Sequence, residues 1–235
     1  AGLLFSPKGR HFQVIAGRQA TATATDVVQL TPGERVSGRR RLAAKLDDPI
    51  NVTFDGKYNR LLSLRKNASQ LLVVQADDTG ALDPTSLRNV KIRALGLQNP
   101  QGITVDPTSG VLYILDAVGP RLVQVTPEAN GDFENAVATT IDLAGAALVN
   151  PRGLAWHPGI GHLYLVSPAS QTLTEVTPTG QVVSTRDLSA LGLSNPQALV
   201  FAPSGDLTDD TAALSLYIAD AGQPTVAQSS DDPSM

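Results

Sequence analysis

The sequence predicts an all-β fold: a β-propeller of four-stranded antiparallel blades with five blade units visible. Three observations predict it. First, the stretch NPQGITVDPTSGVLYILDAVGPRLVQVTP from Asn99 returns from Asn150 as NPRGLAWHPGIGHLYLVSPASQTLTEVTP. It returns again from Asn195 as NPQALVFAPSGDLTDDTAALSLYIADAG. Second, each copy breaks into apolar runs of about five residues that stop at Gly or Pro, which is strand punctuation rather than helical periodicity. Third, equivalent residues Phe5, Phe54, Val105, Trp156 and Phe201 recur every 45 to 51 residues. Four strands in such a period is the arithmetic of a propeller blade.

Taken in order, the first strands are LLFSP from Leu3, NVTFD from Asn51, GITVD from Gly102, GLAWH from Gly153 and ALVFA from Ala198. The second strands are HFQVIAG, NRLLSLRK, VLYILDA, HLYLVSP and LSLYIADA, and the third are VVQLTP, QLLVVQAD, RLVQVTP and TLTEVTP. These inner strands are almost continuously apolar, as expected when both faces of a sheet are covered by its neighbours, and the predicted core includes Phe54, Val105, Leu112, Ile114, Trp156, Leu163, Leu165, Phe201, Leu216 and Ile218. Fourth strands are the most charged: ERVSGRRRLAA, NVKIRALGL, AVATTIDLA and GQVVSTRDL. An outer edge exposed to water uses charge to block edge-to-edge pairing. On that ground Arg39, Arg40 and Arg41 read as a solvated rim rather than a basic patch. Leu42–Leu46 and Ala144–Leu148 are the two places where a single helical turn fits. One domain, 1–235, divides into units at about 1–47, 48–98, 99–149, 150–194 and 195–235.

Asp48-Pro49, Asn99-Pro100, Asn150-Pro151 and Asn195-Pro196 precede the first strands. Proline forces the residue before it into extended geometry, and Asp or Asn bonds the nearby backbone. These segments therefore carry the chain from the outer strand of one blade to the inner strand of the next. Ile50, Gln101, Arg152 and Gln197 follow them, and fall at the mouth of the central channel.

Composition bounds the function. Hydrophobic residues make up 42% and charged residues 17% of 235, which fits a globular chain with a sizeable core. A net charge of −4 gives no electrostatic footprint for nucleic acid. Without cysteine there is no disulfide framework, thiolate metal site or cysteine nucleophile. No run reaches the roughly 18 apolar residues of a membrane span. AGLLFSPKGR lacks the charged start and long apolar core of a signal peptide.

NPQGITVDPTSGVLYILDA and NPRGLAWHPGIGHLYLVSPASQTLTEVTPTGQ resemble blades of the NHL-repeat class and the related six-bladed propellers of the gluconolactonase and SdiA-regulated type. The resemblance covers Asn99 to Gly222 closely and Leu3 to Gln98 more loosely. It implies the propeller, and leaves activity open, because one fold hosts many functions. It also implies a check. Gluconolactonase-like enzymes hold a divalent metal with a Glu on an inner strand together with Asn and Asp. The first strands LLFSP, NVTFD, GITVD, GLAWH and ALVFA contain no Glu.

Several residue groups are candidates for chemistry. Gln101, Arg152 and Gln197 share a repeat position and are the best candidates for contacting a ligand or partner; the competing reading is that they hydrogen-bond neighbouring blades. Asp206, Asp209 and Asp210 form the best cation site, because clustered carboxylates on a loop supply oxygen ligands for calcium. The competing reading is a solvated acidic loop, since the calcium-loop pattern is missing. Asp77, Asp78 and Asp83 form a looser group. Asp55, Asp106 and His157 share the position at the end of a first strand, where turn formation is the favoured role. His11, His157 and His162 are too dispersed for zinc. No Ser sits in a nucleophile elbow and no phosphate loop appears. Asn51 and Asn67 match the glycosylation sequon; Asn51, on an inner strand, is not expected to carry a glycan.

Together these features support a non-catalytic binding or scaffold propeller, extracellular or at the cell surface and part of a larger protein or assembly. It would bind a protein or small-molecule ligand on the channel-mouth face, with neither nucleic acid nor a membrane span. The alternative is a metal-dependent lactonase or esterase-like hydrolase with a divalent cation in the channel. The fifth unit has two good strands, then QPTVAQSSDDPSM, in which Thr225–Ser229 is the one stretch fit for a third strand. The expectation is therefore a piece of a longer, six-bladed propeller, or a ring completed by another chain.

Overall fold

The computed structural model describes residues 2–15, 25–31, 35–42, 51–65, 70–92, 95–205, 210 and 213–222. Its strands fall in chain order into antiparallel meanders. The first sheet holds β1 (Gly2–Ser6), β2 (His11–Ile15), β3 (Thr25–Leu30) and β4 (Val36–Leu42). The second holds β5 (Val52–Asp55), β6 (Arg60–Leu64), β7 (Gln70–Gln75) and β8 (Arg88–Lys91). The third holds β9 (Pro100–Val105), β10 (Leu112–Asp116), β11 (Arg121–Thr126) and β12 (Val137–Asp142). The fourth holds β13 (Arg152–His157), β14 (His162–Ser167), β15 (Thr172–Val176) and β16 (Val182–Asp187). In the fifth, the described residues form β17 (Pro196–Pro203) and β18 (Leu214–Asp220).

The repeat phase is visible in the register. Phe5 pairs with Phe12, Phe54 with Leu61, Val105 with Leu112, Trp156 with Leu163 and Phe201 with Leu216. Burial follows the expected gradient: all five residues of β6 and of β10 are buried, whereas β12 and β16 are almost wholly exposed. Arg39, Arg40 and Arg41 lie exposed on β4, the outermost strand of its sheet, and Arg41 Nε is 3.5 Å from Asp26 Oδ1. Of the two places read as helical turns, 144–146 forms a 3-10 turn, while 43–46 lies outside the described residues.

Alternate side chains of each strand reach opposite neighbours. Leu62, Leu64, Leu71 and Val73 meet Ile103, Ile114, Val123 and Val125 between the second and third sheets. Leu4, Ile15 and Val27 meet Leu61, Leu72 and Val74 between the first and second. Tyr113, Leu115 and Leu122 meet Leu154, Leu163 and Leu165 between the third and fourth.

The five first strands pack side by side in the order β1, β5, β9, β13, β17, and β17 returns against β1. Phe12 and Tyr217 cross that last joint with ring centroids 4.5 Å apart. A sixth blade is the sequence expectation; the described residues hold five units, and the inner strand of the fifth reaches that of the first. The stretch expected to supply a third strand there, Thr225–Ser229, lies outside the described residues. The predicted core divides in the same way. Val105, Leu112, Ile114, Leu163 and Leu165 are buried. Phe54, Trp156, Phe201, Leu216 and Ile218 are half-buried, since three of them border the channel and two lie on β18, whose outer edge has no strand partner among the described residues.

Candidate functional site: the central channel and its mouths

Close packing of backbone against backbone sets the channel. A Cβ on Gly102 would lie 2.8 Å from Leu154 N, and one on Gly153, at φ +57°, 3.1 Å from Gln197 O. Glycine at both positions lets adjacent first strands approach at one level. The second sheet carries Asn51 at the equivalent position. Its buried side chain spans the joint, with Nδ2 donating to Pro100 O at 3.1 Å. Full burial fits the expectation that this sequon carries no glycan.

At the leading end of the first strands, carboxylates on the second strands fix the incoming chain. Asp116 accepts from the backbone N–H of Gln98 at 3.0 Å and of Asn99 at 2.8 Å, while Ala117 N donates to Asn99 O at 3.0 Å. The fifth unit repeats the clamp: Asp220 accepts from Ser194 N at 2.8 Å and Asn195 N at 2.7 Å, and Ala221 N donates to Asn195 O at 3.0 Å. Burial opposes the charge on Asp116, yet the N–H groups of Gln98 and Asn99 and the Arg121 guanidinium at 2.9 Å together hold its carboxyl below the usual range. In the fourth unit Ser167 replaces the carboxylate.

The three repeat-equivalent side chains stand at the leading ends of β9, β13 and β17. Gln101 Nε2 donates to Asn99 Oδ1 at 2.7 Å, and Gln197 Nε2 bonds Asn195 Oδ1 in the same way. Arg152 Nη1 crosses the joint to Gln197 Oε1 at 3.1 Å. The structure thus joins Arg152 to Gln197 and leaves Gln101 with its own turn. Three oxygens at this end, Asn51 Oδ1, Gln101 Oε1 and Ser167 Oγ, are buried with no hydrogen-bond partner among the described residues.

The trailing end is different. Asp55 Oδ1 accepts from Lys57 N and Tyr58 N, Asp106 Oδ1 from Thr108 N at 2.9 Å, and His157 Nδ1 from Gly159 N at 3.1 Å. These three residues build turns, as their repeat position implies. Between them the channel holds a cavity of about 270 Å³ lined by all five first strands. Leu4, Thr53, Thr104, Ala155 and Val200 form one row of its wall, and Phe5, Phe54, Val105, Trp156 and Phe201 the next. No charged side chain among the described residues lines it.

Ionisable groups outside the channel are tied to structure. Arg60 Nε donates to Asp55 Oδ2 at 2.9 Å, both side chains being buried; its Nη2 donates to Gly131 O at 2.7 Å, and its guanidinium lies 4.7 Å from the Tyr58 ring centre. On the fourth sheet His162 Nδ1 and Glu175 Oε1 are 2.7 Å apart, and Ser184 Oγ donates to Glu175 Oε2 at 2.8 Å. Here the carboxylate is central. A nucleophilic relay needs the imidazole between hydroxyl and acid, so this row cannot activate Ser184. Among the described residues no group of three or more His, Asp or Glu side chains could hold a metal ion. Asp206 and Asp209 lie outside the described residues, and Asp210 is exposed. Asp77 and Asp83 bond Thr79 and Thr85 in their own turns, and the bonds lower both carboxyls. No helix among the described residues is long and apolar enough to cross a membrane.

Sequence reasoning missed the bridging role of Asn51, the buried Arg60–Asp55 pair and the cavity. Asn51 had a usable signal, as the one large polar residue in a repeat column of Gly and Ala. The Arg60 guanidinium also reaches Gly131 O in a loop 71 residues away, which no local pattern reveals.

The sequence model of the SdiA-regulated family matches residues 2–210. No curated protein is similar in sequence. Among solved structures the chain is similar to one in a nidogen/laminin complex, at 18% identity and TM-score 0.58, with 93% of this chain and 71% of that one covered. It is also similar to the gluconolactonase XC5397 from Xanthomonas campestris, at 16% identity and TM-score 0.52, covering 94% and 76%. A putative 6-phosphogluconolactonase from Bacteroides uniformis follows at 13% identity and TM-score 0.50, covering 94% and 67%. At these identities the likeness is one of fold.

Proposed function

The chain belongs to the SdiA-regulated family, a β-propeller family, and from that premise we propose that it is a non-catalytic binding module, extracellular or at the cell surface, that works within a larger protein or assembly. Its ligand or partner engages the leading mouth of the channel through Gln101, Arg152 and Gln197. The observation that carries this reading is the linked pair there. Arg152 bonds Gln197 through one of its donors, and the guanidinium has four more N–H groups for a carbonyl or carboxylate on a ligand. Gln101 adds a buried acceptor without a partner. Concave mouths with a few convergent polar groups are where ligands bind. The apolar channel lining speaks against a metal-dependent hydrolase, which needs charged or imidazole ligands.

The test is a titration with short acetylated peptides bearing a free carboxylate, followed by side-chain NMR of Gln101, Arg152 and Gln197. Saturable shifts at these groups, lost in Arg152→Ala, are expected. Shifts elsewhere, or none, would overturn the assignment. Chelator-sensitive hydrolysis of glucono-lactone would replace it with the enzyme. Calcium on the Asp206, Asp209 and Asp210 loop is a separate proposal. A melting temperature raised by millimolar calcium, and no longer raised in Asp209→Asn, would establish it; indifference to calcium and chelator would end it.

A further inference from the structure

The cavity at the trailing half of the channel is a second concave site, distinct from the leading mouth. Its volume of about 270 Å³ lies near the lower end of the range for small-molecule sites, which starts at about 300 Å³. Four aromatic rings, Phe5, Phe54, Trp156 and Phe201, border it, and all are half-buried. Aromatic walls favour flat aromatic guests through stacked or edge contacts. A charged guest would lose its hydration with no counter-charge, which disfavours it. Among the described residues the hydroxyl-bearing side chains in the wall are Thr53 and Thr104. Thr104 Oγ1 already accepts from Trp156 N at 3.1 Å, so its hydroxyl hydrogen is left to donate. The Thr53 hydroxyl makes no hydrogen bond among the described residues. Both can therefore serve an acceptor on the guest.

We propose that this cavity binds one neutral, flat aromatic molecule that carries a hydrogen-bond acceptor. Access is from the trailing rim, where Gly56 sits between Pro7 and Pro107. A Cβ on Gly56 would meet Pro7 Cγ at 3.6 Å and Pro107 Cβ at 3.8 Å, ordinary contact distances. Gly56→Leu therefore adds a plug at the rim without backbone strain.

Trp156 is the chain's one tryptophan, so energy transfer from it reports occupancy directly. The probe is Prodan, a neutral naphthyl ketone. Titrated into the full chain, it is expected to bind saturably at one site, with energy transfer from Trp156. Trp156→Phe should keep the binding and lose the transfer. Thr53→Val, a change of similar shape, should weaken binding by up to about tenfold, the value of one neutral hydrogen bond. Gly56→Leu, if its melting temperature matches the wild type, should abolish it. Non-saturable binding, absence of transfer, or affinity unchanged in a folded Gly56→Leu would overturn the proposal and place the probe on an exposed sheet edge. Should Gly56→Leu fail to fold, the Thr53→Val and Trp156→Phe measurements still decide.

Discussion

The joint between the second and third sheets and the joint between the fourth and fifth are built from the same repeat but filled differently. In the first, aliphatic side chains run from the inner strands outward to Val90 and Val125, and Phe133 closes the loop side. In the second, the inner half is apolar, with Ala155, Val166 and Leu173 against Leu199, Phe201 and Leu216. Further out the same face of the fourth sheet turns polar. Tyr164 pairs with Glu175, Glu175 with Ser184, and Leu173 with exposed Arg186. The facing sheet has two strands among the described residues. Each face thus matches its described neighbour: apolar opposite four described strands, and partly hydrogen-bonded and charged opposite two. A repeat sets the inner strands, and the outer half of each face adapts to its neighbour.

The largest test of this contrast is Arg60→Ala. It leaves the fully buried Asp55 carboxylate without its cation, and removal of one partner of a buried pair costs about 3–5 kcal/mol. Denaturant unfolding measures it, and a loss under about 1 kcal/mol would mean that Asp55 rehydrates. Next comes a matched pair of truncations. Leu112→Ala, in the filled joint with 0% exposure, should cost about 2–5 kcal/mol. Leu216→Ala, at the equivalent register position but half-buried, should cost less than half of that. Equal losses would erase the difference between the joints.

A third test uses pH. The hydrogen bond from His162, aided by Ser184 and opposed by burial, holds the Glu175 carboxyl below its ordinary value. A depressed folded value means that its stabilisation is fully present above the unfolded pKa, about 4.3. It is lost as pH falls through the folded value. Melting temperature should therefore drop more steeply below about pH 4 in the wild type than in Glu175→Gln. Parallel curves would show that the row contributes nothing. The smallest effect is expected for Arg152→Ala. This side chain is half-buried and bonds an amide rather than a carboxylate, so stability should change by no more than about 1 kcal/mol. A larger loss would make Arg152 a strut between blades rather than a ligand contact.

The sequence by itself determined the strand count per blade, the register and the inside-to-outside gradient. These rest on local alternation, turn chemistry and a fixed period, all of which a linear string displays. Asn-Pro before the first strands of the third, fourth and fifth units also marked one end of the channel, and the carboxylates expected to shape turns at the other end do so. Tertiary structure alone decided the rest. Strand β17 meets β1, a contact between the first and last described units that no repeat unit encodes. Trp156 and Phe201, read as core, border a cavity because the middle of a ring of five strands is a space that no single blade can fill. Arg152 finds Gln197, and Arg60 finds Gly131, across joints set by packing. Such pairings depend on how rigid sheets are arrayed around the axis, and that geometry exists only once every blade is in place.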